Sequence, residues 1–318
     1  MATARGANTR LLAKEESAYG TNPGGSDWVQ YPFNPPLTFG ATQDLTQSPT
    51  IGISTNRDPG EPFRENVTVP LSAGLPIDLT HIGFWLHKLF GDATTTGSSN
   101  YTHVFKSGTF TALPSVSLEV GLLDLPRYFL YTGVKANSLS ITAAPGGKPS
   151  ASIGMIAQDE AESGTSVDSS PTVASSLVTF NNYQATLSRE ATALSYVTGF
   201  ALNFANNIEG IRDIGSGQNI REALESDTSI SGTLTERLAA TTLLADAVAA
   251  TYKSFTILWE IGATQSLQID LPRVHLQRVQ KTIQGKAGIE IGWAWQAEYD
   301  SSAGAALVVT LKNQTASY

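Results

Sequence analysis

Gly147 to Glu160 reads GKPSASIGMIAQDE, and Gly285 to Glu298 reads GKAGIEIGWAWQAE. Gly147, Lys148, Ile153, Gly154, Gln158 and Glu160 recur in the same order and at the same spacing as Gly285, Lys286, Ile291, Gly292, Gln296 and Glu298. A chain that carries one segment twice is constrained to fold as two similar units, with insertions confined to loops. Neighbouring segments carry the echo onward. Val67 and Leu71 are matched by Ile230 and Leu234, Glu119 by Glu260, and LVTFNN (177–182) by VVTLKN (308–313). Leu71 and Glu119 lie farther apart than Leu234 and Glu260, which fits an extra loop, DATTTGSSNYTHVFKSGTFTALP, in the first copy.

Each copy alternates short β-rich runs with one helical segment. NVTVPL, SVSLEV, SLSITA, SASIGMIA, TSISGTL, IEIGWAW and LVVTL, with TIGIS before them, are rich in β-branched residues and separated by Gly, Pro, Asn and Asp. In the first copy Asp78 is placed to cap a helix through LTHIGFWLHKLF that Gly91 ends. In the second, Leu244, Val248 and Tyr252 recur four apart in TTLLADAVAATYK. The expected fold is mainly β: two tandem β-sandwich or barrel units, each with one flanking helix. Residues 37–183 form the first unit and 184–318 the second, after an extended N-terminal arm over 1–36. Trp28, Tyr31 and Phe33 are candidate anchors of that arm, on a neighbouring molecule or on its own edge strand. DEAESGTSVDSSPTVASS between the units reads as a polar loop.

The composition bounds function. A net charge of −8, from 28 acids against 20 bases, argues against gripping nucleic acid, which needs a concentrated basic surface. With no cysteine there is no disulfide, thiolate nucleophile or cysteine metal site. The opening residues lack the apolar run of a signal peptide, and no segment has the length of a membrane span. The four histidines, His81, His87, His103 and His275, lack metal-ligand spacing. PGGKPS departs from a phosphate-binding loop, and its Pro149 removes a donor. The expectation is a protein that is not an enzyme and has no cofactor and no metal.

The opening LLAKEESAYGTNP and the run PLSAGLPIDLTHIGFWLHKLFG, YTHVF and LPSVSLEVGLLDLPRYFLYTGVKANSLSI resemble the tail tube (major tail) proteins of non-contractile-tailed bacteriophages. The resemblance is one of diffuse patterning over most of the chain. It implies a β-sandwich with a flanking helix whose strands join those of adjacent copies around a channel. It also implies a virion component made in the host cytoplasm that self-assembles into stacked rings as the conduit for genome ejection. Tape-measure, tail-terminator and tail-tip proteins are the implied partners, and DNA passes without specific contacts. Two units per chain point to a homotrimer with a pseudo-six-fold lumen rather than a hexamer. The charged loops at matching places, with Arg57, Asp58, Glu61, Arg64 and Glu65 in one and Arg221, Glu222, Glu225 and Asp227 in the other, are candidate contacts between subunits or rings. The rivals are a capsid decoration or baseplate component and a carbohydrate-binding module, for which Trp293 and Trp295 on one strand face would be the platform.

Overall fold

The computed structural model describes residues 3–52, 56–173, 177–215, 217–283 and 285–318. The arm supplies β1 (Thr9–Glu15) and β2 (Val29–Gln30). There follow β3 (Asn34–Thr38), β4 (Thr42–Thr46), β5 (Phe63–Pro76), the helix α1 (Ile82–Phe90), β6 (Thr94–Gly97), β7 (Tyr101–Lys106), β8 (Val116–Leu122), β9 (Arg127–Ala143), β10 (Ser150–Ala157), β11 (Asp159–Ser163) and β12 (Thr172–Val173). The second half comprises β13 (Ala185–Arg189), β14 (Thr192–Ala193), β15 (Val197–Ala205), β16 (Glu209–Ile211), β17 (Glu222–Leu224), β18 (Ser229–Arg237), α2 (Thr242–Ala249), β19 (Lys253–Gly262), β20 (Gln265–Leu276), β21 (Glu290–Ala297) and β22 (Val308–Asn313).

The strand register repeats with the sequence. Leu71 pairs with Met155 across β5 and β10, and Leu234 with Trp293 across β18 and β21. The sequence echo equates these same positions, Leu71 with Leu234 and Met155 with Trp293. Leu118 pairs with Tyr131 across β8 and β9, as Trp259 does with Leu267 across β19 and β20. On the far side of β5, Thr38, Thr42 and Gln43 pair with Ser72, Thr68 and Val67. On the far side of β18, Gly199, Asn203 and Phe204 pair with Thr235, Ser231 and Ile230. The broken edge strand β3–β4 is therefore the first-half counterpart of β15. The β9–β10 ladder runs from Ser150 to Ile156, but β20 meets β21 through Val274, His275 and Leu276 alone.

One antiparallel sheet crosses both halves in the order β3, β5, β10, β9, β15, β18, β21, β20. The joint is β9 with β15, where Phe200 to Ala205 pair with Ala143 to Ser138. Burial alternates along these strands, as in β10 and β18, so one face is packed and the other bare. Leu139, Ile141, Leu202 and Phe204 from both sides of the joint lie in one apolar cluster with Ile82, Leu86 and Phe90 of α1. The N-terminal half of β9 turns away from this sheet to pair with β8 and β11.

Local differences from the sequence reading have physical causes. Asp159–Ser163, expected as loop, is β11, because it continues β10 along the other half of the long strand β9. The extra loop of the first copy holds the hairpin β6–β7, whose alternating YTHVFK pairs with β22 and so ties the halves together again. Of TIGIS, Thr50 to Gly52 lie outside any strand, and Ile53 and Ser54 lie outside the described residues. Helix α1 begins at Ile82, after a turn in which Asp78 accepts N–H bonds from Thr80, His81 and Ile82 at 3.2, 2.9 and 3.0 Å. Helix α2 buries Leu243, Asp246 and Ala247 and leaves Val248 and Tyr252 exposed. The side chain of Arg189 grips Asp246 with two donors, at 2.5 and 2.6 Å, and so holds that carboxylate on the inward face.

Trp293 and Trp295 are buried core residues, so the platform expected of a carbohydrate module does not exist at the surface. The Trp293 indole donates to Glu236 Oε1 at 3.0 Å. Burial pushes the Glu236 carboxyl up from its ordinary range, and this indole bond only partly offsets the shift. A carboxyl raised on folding contributes stability that is fully present below its unfolded pKa and lost as pH rises through the folded value. Glu236→Gln keeps the acceptor and removes the buried charge. It should raise the unfolding midpoint at pH 7 and leave it little changed near pH 4, read by thermal melts at the two values.

Candidate assembly surfaces

The arm is anchored on its own chain. β1 pairs with β8 from Thr9–Leu122 to Glu15–Val116, covering what would otherwise be an edge. Trp28 is fully buried, and its backbone N–H donates to Asp168 Oδ2 at 3.3 Å. Tyr31 stacks on Phe84 of α1 at 4.3 Å, and Phe33 packs partly buried against the core. Lys88 of α1 is closed over by the arm and pairs with Glu15. Burial pushes the Lys88 ammonium down, and the Glu15 carboxylate opposes that shift. The arm motif EESAYGT converges on Glu16, which is buried. Its Oε2 accepts from Gly20 N at 2.9 Å and Ser115 Oγ at 2.7 Å, and its Oε1 from Ser117 Oγ at 2.7 Å and Gly133 N at 2.8 Å. Gly20, at φ +72°, closes the turn, and a Cβ there would lie 1.7 Å from Gln158 Oε1.

The two charged loops occupy matching places but differ in what they touch. In the first, β4 and β5 form a ribbon whose residues Phe63 to Asn66 are exposed on both faces. Arg57, Asp58, Glu61, Arg64 and Glu65 are exposed on it or on its connecting loop, as are the apolar Leu45, Ile51 and Phe63. Thr46 bonds Glu65, and Asn56 donates to Asp58 at 2.5 Å. The second loop carries the small hairpin β16–β17 and lies against the first half. Gln218 O accepts from Val67 N at 2.9 Å, Arg212 donates to Val67 O at 2.6 Å, and Gln158 Nε2 donates to Arg221 O at 3.1 Å. Arg221 pairs with Asp213. Glu225 receives Lys135 Nζ at 2.7 Å and Leu113 N at 3.1 Å. Burial pushes the Glu225 carboxyl up, but the Lys135 hydrogen bond, backbone donors and the Lys135 charge together hold it below the ordinary range. Glu222 and Asp227 remain exposed.

The bare face of the continuous sheet is a surface that no motif announces. On β9 it presents Ser138, Ser140 and Thr142, and on β10 Ser150 and Ser152. Beyond the joint it presents Asn203 on β15 and Ser229, Ser231, Thr233 and Thr235 on β18. These side chains are exposed or half-buried. Their hydroxyls bond locally, Thr142 to Ser150 at 2.6 Å. The charges that close this stretch, Arg237 and Glu290, face each other at 3.2 Å. The signal lies in every second residue of SLSIT, SAS and TSISGTLT, an alternation that by itself identifies only strands.

The histidines are engaged internally: His81 with Asp78 at 2.6 Å, His87 with Asp92 at 3.1 Å, His103 with Thr95 at 2.9 Å and His275 with Glu298 at 3.1 Å. Among the described residues no three metal-ligating side chains cluster, and no helix is long and apolar enough to cross a membrane. No curated protein matches the chain. The family model described as phage tail tube protein matches residues 6–297. With strands that repeat in register, one sheet across both halves and a match over nearly the whole length, the chain belongs to the phage tail tube protein family and is a structural component of the virion tail.

Proposed function

We propose that the protein assembles as homotrimeric rings of six pseudo-equivalent units, which stack into the hollow tube that conducts the genome out of the particle. The observation that carries this reading is the sheet running through both halves with one packed face and one bare, hydroxyl-rich face, on which Arg237 is paired with Glu290. Turned toward a lumen, such a wall offers phosphate hydroxyls and an Arg237 already neutralised by Glu290, so passing DNA meets little electrostatic trapping. The net charge of −8 acts in the same direction. The arm and α1 then lie on the outer side. Tape-measure, terminator and tip proteins are the partners of the lumen and the two tube ends, and assembly follows synthesis in the host cytoplasm. The units are residues 37–183 and 184–318.

The exposed β4–β5 ribbon is the element of stacking, since its charges and apolar residues have no role in the chain's own core. Arg57→Glu with Arg64→Glu should shorten the tubes severalfold in electron micrographs while leaving the unfolding midpoint of the unassembled protein unchanged. Tubes of ordinary length would remove the ribbon from the stacking contact. A second substitution set tests the wall. Ser140→Lys, Ser231→Lys and Thr233→Lys together should leave rings intact but make them retard duplex DNA on a gel. That retention should weaken steeply with salt, by a log–log slope of about 0.9 per phosphate contacted. Absence of retention in intact rings would place this face away from the channel.

A further inference from the structure

The joint between the two halves is a template for the joint between two copies of the chain. Within the chain, β15 pairs with β18 on one side and with Ser138 to Ala143 of β9 on the other. The first-half counterpart of β15 is the broken strand β3–β4, which among the described residues pairs with no strand but β5, its Ala41 N–H donating to the Glu160 carboxylate at 2.9 Å. The second-half counterpart of the distal part of β9 is the stretch after β20, Gln277 to Ile283. It lies outside any strand, although it begins in register with Gln277 N donating to Ala294 O at 2.8 Å. Each half thus lacks the neighbour that the other half supplies at the internal joint.

Resting on the ring reading above, we infer that residues 280–283 of one copy pair antiparallel with residues 41–44 of the next. The internal joint fixes the register. β10 carries an irregularity between Gly154 and Met155, at which its partners shift from Ser138 to Ala136. Gly154 and Met155 correspond to Gly292 and Trp293. The same shift carried into the second half aligns Leu139, Ser140 and Ile141 with Lys281, Thr282 and Ile283. Because Leu202, Asn203 and Phe204 correspond to Ala41, Thr42 and Gln43, the expected pairs are Ala41 with Ile283, Thr42 with Thr282, and Gln43 with Lys281.

Side-chain chemistry agrees at two of the three pairs, while Gln43 with Lys281 sets polar side chains where the internal joint has the buried pair Phe204 with Leu139. Ala41 with Ile283 repeats the inward apolar pair Leu202 with Ile141, and it buries Ile283, which is 73% exposed in the single chain. Thr42 with Thr282 repeats the outward polar pair Asn203 with Ser140 and continues the hydroxyl-bearing face. The contact is heterologous, so each copy presents one edge of each kind. Repetition closes a ring and leaves no edge strand exposed.

The chain has no cysteine, so paired cysteines report this contact without background. Thr42→Cys and Thr282→Cys, both at exposed positions, are made in separate chains of different size and mixed before assembly and mild oxidation. The expected product is a mixed disulfide dimer in high yield, since directly opposed strand residues fall within disulfide reach. The register control is Thr42→Cys with Lys281→Cys, whose side chains point to opposite faces and should couple at least tenfold less. Far-UV circular dichroism checks the fold of each variant, and negative-stain microscopy of the same samples reports assembly. Tubes without the mixed dimer, or with the control pair coupling as well, overturn this seam and leave the tube reading standing. Folded monomers that neither couple nor assemble overturn both.

Discussion

Glu16→Ala should remove about 4 kcal/mol of folding stability, a large part of what a domain possesses. The carboxylate is buried and accepts four hydrogen bonds, two from backbone N–H groups of Gly20 and Gly133 and two from hydroxyls of Ser115 and Ser117. Hydrogen bonds to a charged acceptor contribute roughly 1.5–3 kcal/mol each, and donors stranded in a closed site add a desolvation cost. The four donors come from the arm turn, from the start of β8 and from the middle of β9. Losing their common acceptor therefore releases the arm from the sheet as well as weakening the core. Glu16→Gln retains oxygen at one position only and should lose roughly half as much. Urea unfolding of the unassembled protein measures both losses. A change below about 1 kcal/mol for the alanine variant would mean that the arm is held by β1–β8 pairing alone. Ring formation should fail in parallel, because a released arm uncovers α1, where Tyr31 stacks on Phe84.

Gly232→Ala should be comparably severe for a different reason. A Cβ at Gly232 would stand 1.9 Å from the carbonyl oxygen of Ala201 and 2.4 Å from Cζ2 of Trp295. The first contact is backbone of β15 and the second is a ring stacked on Phe200 at 6.0 Å, so neither can give way by rotating a flexible end. Overpacking of this kind costs about 3 kcal/mol, and here it pushes β15 off β18 beside the strand that joins the halves. The first half shows what the second has exchanged. The position equivalent to Gly232 is Val69, and it pairs with Ala157 where Gly232 pairs with Trp295. The small and large partners have changed sides. Trp295→Ala should nevertheless recover less than half of the loss in a double-mutant cycle, because the Ala201 oxygen remains. In the first half that obstacle is absent, the edge strand being interrupted between Thr38 and Thr42. Full recovery would show that the ring of Trp295 alone sets the limit.

The repeat is legible because core positions and turn residues survive insertion. Equating Leu71 with Leu234 and Met155 with Trp293 is enough to place Leu71 opposite Met155 and Leu234 opposite Trp293. Gly91 ends α1 as expected because helix termination is local chemistry, whereas Asp78 holds the turn before the helix and His81 stands at its N-cap. What the sequence conceals is non-local. Nothing in the residues of β9 or β15 alone says that they pair with each other, since edge pairing depends on which edges the rest of the fold leaves open. The hairpin β6–β7 is hidden inside an insertion, where the polar run TTTGSSN masks two short strands. The inward face of α2 is obscured because Leu and Ala surround that helix on every side, and the charge of Asp246 marks the buried side against expectation. The hydroxyl wall is written in SLSIT and TSISGTLT. Alternation identifies the strands there, but only the assembled sheet lines up their outward residues as one surface.

Single-particle cryo-electron microscopy of rings assembled from the purified protein tests the arrangement most directly. Three chains per ring are expected, with six repeats of the sandwich about one channel and with Ser140 and Thr233 on its wall. A ring of six chains, or a channel lined by any face other than the one bearing those two residues, would contradict it.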